Sequence, residues 1–341
     1  MTRFAVDEGR DVAAWQLVYL LSGFYSTRGQ WTDRIELCRL GLTAAQRAGD
    51  ALAEGVMGGA LGLAYLRMLR FTEALDCLYP AMERARAAGD DLGAGRIRNS
   101  IGTAYARLRR FDEAVEIYQQ ALAAQLAVGD RIGVAVALHN IGLGRVRQGR
   151  PDLGRPDLAE ALRLTRDAGD QRMEAMVLIG LGEACLAQGG REAALDSYRQ
   201  ALKLQQAIDD RQHQVDSLLR IGTVLLEAGE RGSAFDHVGE ALELGRELGD
   251  QHQISVCLTA MARVQLRDGE LAAAGECLRQ ALALRAAVPD AYEEAAIHRA
   301  LAELARRGGQ DAVADEHRQR AVWLYRRANA PAEADELIRA T

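Results

Sequence analysis

The sequence predicts an all-α fold in which about eight helix-turn-helix repeats stack into a right-handed superhelical solenoid. Three observations predict this fold: a constant internal period, columns of small residues within each period, and a composition that favours helix. The 341 residues are 49% hydrophobic but only 5% aromatic. Alanine, leucine, arginine and glutamate, which are strong helix formers, are abundant.

A Gly-Asp pair at intervals of 40 residues sets the period, first at Gly49-Asp50 and Gly89-Asp90, with the variants Asp209-Asp210 and Pro289-Asp290. A constant period without insertions is typical of a solenoid in which each unit is one supersecondary element. We therefore expect a single solenoid domain over residues 1–341, with a C-terminal tail at 331–341. The repeats are 11–50, 51–90, 91–130, 131–170, 171–210, 211–250, 251–290 and 291–330.

The first half of each repeat predicts a helix, called helix A. Its eleventh position is apolar in every repeat and its twelfth is small, with glycine at Gly62, Gly102, Gly142, Gly182 and Gly222. Glycine inside a helix costs about 1 kcal/mol relative to alanine, so its recurrence needs a packing reason. We expect a second helix to cross helix A at close range beside this column.

The second half of each repeat predicts that crossing helix, called helix B. A glycine at position 19 ends helix A in six repeats, and stretches such as FDEAVEIYQQAL then restart apolar spacing at i, i+3 and i+4. The Gly-Asp pair ends helix B and starts the next helix A, because glycine favours helix C-termini and aspartate favours the first turn.

Composition excludes several functional classes. The only lysine among 42 basic residues is Lys203, which lies outside any GxxxxGK(S/T) phosphate loop. The net charge of −6 argues against direct nucleic-acid binding, and no apolar run is long enough for a membrane helix. Five scattered cysteines are typical of reduced thiols. We expect a cytoplasmic protein that contacts neither nucleic acid nor membrane.

The columns resemble the tetratricopeptide repeat. The family's Leu-Gly, Tyr, Ala, aromatic, Ala pattern is present in the third repeat as Ile101-Gly102, Tyr105, Ala114, Tyr118 and Ala121, with Gly-Asp in place of the usual proline. The resemblance covers residues 11–330 and implies the fold of that family. Such arrays serve as ligand sensors in bacterial regulators and as peptide-binding scaffolds.

A narrower resemblance lies in the first repeat, in the string WQLVYLLSGFYSTRGQWTDRIELCRLGLTAAQRAGD. It is similar to the entry into the C-terminal repeat region of AfsR/SARP-type transcriptional regulators, which are STAND-class proteins with upstream DNA-binding and nucleotide-switch modules. This chain contains neither upstream module. The resemblance implies a sensor or docking array that serves transcriptional regulation.

The family's A helices line a concave groove in which ligands lie, at positions 6, 9, 13, 16 and 17 of each repeat. Position 17 carries stacked arginines, whose planar donors suit carboxylate or phosphate, and asparagine can bond a peptide backbone. The alternative is a solvated face whose arginines complement the helix dipoles. The candidate ligand-binding residues are Arg67, Arg96, Asn99, Thr103, Arg107, His139, Asn140 and Arg147.

Two further patterns extend the groove hypothesis. Arg98 lies at position 8, which is apolar in most repeats, and Gly55, Gly58 and Gly59 shorten the facing side chains of the preceding repeat. Together they suggest a pocket for an anionic ligand between the second and third A helices. The alternative is that the Arg98 side chain extends to water. Acidic residues at Glu183, Asp216 and Glu227 suggest an acidic middle of the groove, although charges on a helix face are often only solvated.

Aromatic residues concentrate in the first repeat, which departs from the repeat pattern as terminal caps do. We expect a docking face there for a missing upstream domain, a second copy of the chain, or a partner; the alternative is a cap that packs on its own neighbour. The candidate interface residues are Trp15, Tyr19, Phe24, Tyr25 and Trp31.

Motifs of catalysis are absent: the sequence has no HExxH, CxxC or GxSxG, and its histidines lack the i, i+4 spacing of a metal site. We therefore expect a non-catalytic module with no cofactor and no metal. Its predicted partner is a protein or peptide segment, or a small anionic effector, bound in the groove of a bacterial regulator. A stand-alone scaffold between two proteins is the alternative, and an enzyme with an unrecognised site is the third.

Overall fold

In the computed structural model, the described residues are 8–27, 31–287 and 290–339, and they contain 17 α-helices and no strand. Each A helix begins at the first position of its repeat and each B helix at position 21, as the period predicts. The pairs in the first four repeats are α1 (Asp11–Thr27) and α2 (Trp31–Ala48), α3 (Ala51–Arg67) and α4 (Phe71–Ala87), α5 (Asp91–Arg107) and α6 (Phe111–Val128), α7 (Arg131–Arg147) and α8 (Pro151–Ala168).

The remaining repeats follow the same order, and the tail adds one short helix. They are α9 (Gln171–Ala187) and α10 (Arg191–Ala207), α11 (Arg211–Ala228) and α12 (Arg231–Leu248), α13 (Gln251–Asp268) and α14 (Leu271–Ala287), α15 (Ala291–Arg307) and α16 (Asp311–Arg327), then α17 (Pro331–Arg339).

The helices group into two compact units, Met1–Ala168 with α1 to α8 and Gly169–Thr341 with α9 to α17. Within each unit, every helix packs against the next one along the chain. The helix-pair fold predicted from the period is thus confirmed. The single continuous domain over the whole chain stays a prediction.

The Gly-Asp pairs act as predicted at the helix boundaries. Gly49, Gly89 and Gly129 have φ of +64°, +75° and +71°, a left-handed conformation that glycine adopts without a Cβ clash. The Asp90 carboxylate accepts a hydrogen bond of 2.8 Å from the Gly93 amide, which satisfies an otherwise free donor of the first helical turn. Glycine ends one helix and aspartate caps the next.

Asp209 departs from this pairing, since it adopts φ of +52° at an exposed position where five other repeats have glycine. We predict that Asp209→Gly raises the free energy of unfolding by about 0.5–1 kcal/mol, because left-handed backbone strains a residue with a Cβ. Urea denaturation followed by circular dichroism measures the change. Asp209→Ala is the control and should give no gain; an equal gain in both variants would contradict the backbone explanation.

The glycine column at position 12 has the packing role that the sequence predicts. A Cβ on Gly102 would lie 2.5 Å from Cε1 of Tyr118 on helix B of the same repeat, and a Cβ on Gly182 would meet the Tyr198 ring in the same way. In the fourth repeat two glycines face each other, Gly142 on α7 and Gly154 on α8. Helix B therefore occupies the space that a side chain at position 12 would fill.

Candidate functional site

Most of the candidate ligand-binding residues lie on α5 and α7, the A helices of the third and fourth repeats. Successive A helices of the first unit contact each other, α3 with α5 and α5 with α7. Residues at the same repeat position are therefore neighbours across these helices. The surface formed by α3, α5 and α7 is called the A-helix surface below.

Position 9 is polar and buried in both repeats. Asn99 is 8% exposed and His139 is 5% exposed. The Asn99 Oδ1 atom is buried and has no hydrogen-bond partner among the described residues. An unsatisfied buried acceptor costs roughly 1–3 kcal/mol, so a donor supplied by a ligand, or a water molecule, would be stabilising at this point.

Thr103 connects Asn99 to a buried tyrosine. The Thr103 hydroxyl donates to the Asn99 carbonyl oxygen at 2.9 Å and accepts from the Tyr118 hydroxyl at 3.3 Å. Burial raises the pKa of Tyr118 to about 12, while the positive charges of Arg147 and Arg107 act in the opposite direction. Both guanidinium groups therefore lie within electrostatic reach of one hydroxyl, and both side chains are exposed to solvent.

The raised pKa of Tyr118 makes stability depend on pH in the alkaline range. The folded state holds the Tyr118 proton more tightly than the unfolded state does, and this contributes to the free energy of unfolding. The contribution is full below the unfolded tyrosine pKa of about 10 and is lost as pH rises towards the folded pKa of about 12. We predict that Tyr118→Phe reduces the loss of unfolding free energy between these pH values by about 2–3 kcal/mol. Denaturation curves at stepped pH measure it; an unchanged alkaline loss in Tyr118→Phe would contradict the assignment.

Other candidates are placed less centrally. Arg67 stacks on the Trp31 ring with 5.6 Å between its Cζ and the ring centroid, and Arg34 lies 5.4 Å from the same centroid. Arg96 is exposed on α5 and Asn140 is half-buried on α7. Hydrogen bonds thus link Asn99, Thr103 and Tyr118, whereas Arg67 stacks on Trp31. His139 has the same repeat position on α7 as Asn99 has on α5.

The proposed anion pocket beside Arg98 is wrong, because neighbouring atoms fill the space left by the three glycines. A Cβ on Gly55 would lie 3.0 Å from the Ala85 backbone nitrogen, and one on Gly58 would lie 2.8 Å from the Ala81 Cβ. Gly59 faces the Ile97 side chain. These glycines admit close helix packing.

The second unit contains a partly buried ionic cluster that sequence analysis missed. Arg220 binds Glu183 at 2.7 Å and Asp216 at 3.0 Å. Burial acts to lower the pKa of Arg220, but Asp216, Glu183 and Tyr198 outweigh it and the pKa is raised. The expected acidic band is therefore partly neutralised. The sequence does contain one indication of this cluster: Arg220 lies at position 10, where the other repeats carry small, apolar or amide residues.

The candidate interface residues of the first repeat divide into two groups. Trp15 packs against the buried residues of α1 and α2, and Trp31 and Tyr25 are half-buried. Tyr19 is 56% exposed and Phe24 is 49% exposed. Val12 and Leu20, which the sequence analysis did not select, are also exposed on α1, by 53% and 73%.

The described part of the chain holds neither a membrane-spanning helix nor a metal-binding group of side chains. Each of its helices is too short or too polar to span a bilayer. Among the same residues, no three His, Cys, Asp or Glu side chains are grouped so that they could hold a metal ion.

Stacked helix pairs with a polar A-helix surface define the class of protein: an all-helical repeat protein. The tetratricopeptide repeat family model matches residues 52–127, 133–207 and 214–287, which is more than half of the chain. The chain belongs to the tetratricopeptide repeat family. No curated protein is significantly similar to it in sequence.

Several solved structures share this fold. The Rap conjugation gene regulator of plasmid pLS20, in complex with a Phr peptide, has 15% identity and a TM-score of 0.71, covering 96% of this chain and 97% of that chain. Apo NprR, a quorum sensor from B. thuringiensis, has 15% identity and a TM-score of 0.65, covering 91% of this chain and 87% of that chain.

A third structure with this fold is a STAND protein with a tetratricopeptide repeat sensor from Pyrococcus horikoshii. It has 15% identity and a TM-score of 0.60, and the alignment covers 98% of this chain but 50% of that chain. At such identities these comparisons establish the fold alone.

Proposed function

We propose that the chain is a non-catalytic binding module that takes a peptide or protein segment with an anionic group on the A-helix surface of its third and fourth repeats. Arg107 and Arg147 hold the anionic group, such as a carboxylate, and Asn99 accepts a hydrogen bond from the segment. A small anionic effector would use the same two arginines. The protein acts in the cytoplasm as the sensor part of a bacterial transcriptional regulator.

The observation that carries this proposal is the unsatisfied Oδ1 of Asn99, two turns of helix before Arg107. An isolated buried acceptor is costly, whereas a peptide amide would satisfy it. The exposed guanidinium groups of Arg107 and Arg147 offer bidentate donors to a carboxylate. A peptide carries both carboxylates and amide donors, so it suits these guanidinium groups and the Asn99 acceptor better than a uniform polyanion does.

Two comparisons support the regulatory context. The pLS20 regulator was solved with a bound peptide, and the Pyrococcus horikoshii protein carries its tetratricopeptide repeats as a sensor. Both share the fold of this chain, and the first repeat resembles the entry into the sensor region of AfsR/SARP-type regulators. A scaffold that joins two proteins would use the same surface without a switch.

The test is selection of peptides from a random phage-displayed library on the full chain, followed by anisotropy titration of the strongest peptide with a fluorescent label. We predict that the double variant R107A/R147A weakens binding at least about tenfold, as expected when two charged contacts are lost. Asn99→Leu should weaken it too, because leucine cannot accept a hydrogen bond.

The matched control is R155A/R163A, which removes two exposed arginines of α8, a helix that is not part of the A-helix surface, and changes the net charge equally. It should leave affinity unchanged within about twofold. Failure to select any peptide, or equal affinity of R107A/R147A and the parent protein, would overturn the proposed site.

A further inference from the structure

A pocket lies in the eighth repeat, between its helix B, α16, and the tail helix α17. Its volume is about 360 Å³, which is within the range of small-molecule sites in proteins. It is called the tail pocket below. The residues that line it are Arg318, Gln319, Val322, Trp323, Arg326 and Ile338.

Helical spacing places the lining residues of α16 on one face of that helix. Arg318, Val322 and Arg326 follow one another at intervals of four residues, and Gln319 and Trp323 form the adjacent row. The tail helix contributes the remaining lining side chain. The tail pocket is therefore a mixed polar and apolar face of α16 that α17 bounds on one side.

Packing of the tail helix holds Ile338 at the pocket. Ala334 and Leu337 of α17 pack in one apolar cluster with Leu324 and Tyr325 of α16. Ile338 follows Leu337 directly in the chain, so the contacts that fix α17 on α16 also position Ile338 beside the lining residues.

One part of the tail pocket is apolar and open to solvent. Trp323 is 48% exposed and Ile338 is 44% exposed. Removing apolar surface from water is favourable. These two side chains therefore favour a ligand with an apolar body.

The other part of the tail pocket is positively charged, and no carboxylate is among its six lining residues. Arg318 pairs with Asp315 at 3.1 Å. Arg326, in contrast, forms no ion pair with any residue that the structure describes. Arg327 adds further positive charge, with 5.4 Å between its Cζ atom and the centroid of the Trp323 ring. The pocket thus favours an anion.

The two parts together select the chemistry of the ligand. A neutral apolar compound would cover Arg326 without giving its guanidinium group a partner, which is unfavourable. A purely hydrophilic anion would leave Trp323 and Ile338 exposed. A compound with an oxyanion on an apolar body meets both requirements, because a guanidinium group binds oxyanions through paired hydrogen bonds.

We propose that the tail pocket binds a small amphipathic anion, whose oxyanion contacts Arg326 and whose apolar body covers Trp323 and Ile338. The residues of this site are different from those of the proposed peptide site on α5 and α7. The two sites can therefore be tested separately.

The test is a fluorescence titration of the full chain with anilinonaphthalenesulfonate, an aromatic anion whose emission rises when it leaves water. We expect saturable binding with a dissociation constant in the micromolar range. N-phenylnaphthylamine has the same aromatic rings without the sulfonate. It should bind at least about tenfold more weakly, because it cannot pair with Arg326.

Two variants locate the bound probe. Arg326→Ala should weaken binding of the sulfonate at least about tenfold and leave binding of the neutral compound unchanged, since only the sulfonate contacts the guanidinium group. Trp323→Ala should weaken binding of both compounds, because both lose the same apolar contact.

Arg199→Ala is the matched control, since Arg199 is exposed on α10 and its removal changes the net charge equally. This variant and R107A/R147A should each keep the affinity for the sulfonate within about twofold. Circular dichroism should show all variants folded. Equal affinity of Arg326→Ala and the parent protein, or equal affinity of the two probes, overturns the proposal.

Competition with the bound probe identifies the oxyanion that the pocket prefers. Naphthoate and naphthyl phosphate share an aromatic body and differ in the anionic group. Displacement of the sulfonate by either compound supports the proposal, and the stronger competitor distinguishes a carboxylate ligand from a phosphate ligand. Displacement by neither compound overturns the proposal.

Discussion

Gly142→Val should lower the free energy of unfolding by about 3 kcal/mol, because the α7–α8 contact has no room for a side chain. A Cβ at Gly142 would lie 2.7 Å from the Gly154 carbonyl oxygen and 2.7 Å from the Leu158 Cγ. The backbone oxygen cannot rotate away, so the helices must separate. Separation also exposes Leu158 and Ala161, which are fully buried on α8.

Gly232→Val is the matched control for this substitution. Gly232 lies in α12, and a Cβ there has no heavy atom within 4 Å. Valine is a better helix former than glycine, so the control should change stability by no more than about 0.5 kcal/mol. Denaturation by urea measures both variants. Equal losses would show that helix propensity, and not the close contact, determines the effect.

Arg220→Met should lower the free energy of unfolding by about 2–3 kcal/mol, because it leaves two carboxylates without their cation. The side chains of Arg220 and Glu183 are 27% and 15% exposed, whereas Asp216 is 44% exposed. Partial exposure of Asp216 lets water screen it, which places the expected loss below that of a fully buried pair. Adding Glu183→Gln to the variant should recover part of the loss.

Arg163→Met is the comparison that isolates burial. Arg163 also binds two carboxylates, Glu160 at 2.6 Å and Asp167 at 2.8 Å, but its side chain is 55% exposed. Exposed ion pairs of this kind contribute about 0–1 kcal/mol. If Arg163→Met costs as much as Arg220→Met in the same denaturation assay, burial does not explain the role of Arg220.

Much of the fold could be predicted because it depends on local chemistry repeated at a fixed interval. Asp90 caps α5 through an amide three residues away, and Gly129 ends α6 with left-handed backbone. Such contacts span a few residues, so the sequence pattern contains both partners. The glycine column predicted close packing correctly, but which atoms it meets depends on helix B.

The candidate site could be predicted only in part. The repeat positions predicted that Asn99, Thr103 and Arg107 share one face of α5, because residues four apart in a helix lie on the same face. It did not reveal Tyr118, whose hydroxyl donates a hydrogen bond to Thr103. It also assigned a pocket to Gly55 and Gly58, where α4 packs.

The sequence by itself determined the 40-residue period, the two helices in each repeat and the residues at which they begin and end. Helix propensity and end-capping are short-range, and a period repeats them without further information. Only the tertiary structure decided which polar groups are satisfied, as at Arg220, and which are left over, as at Asn99. Burial and ion pairing join residues that are far apart in the chain, so they exist only once the helices have packed.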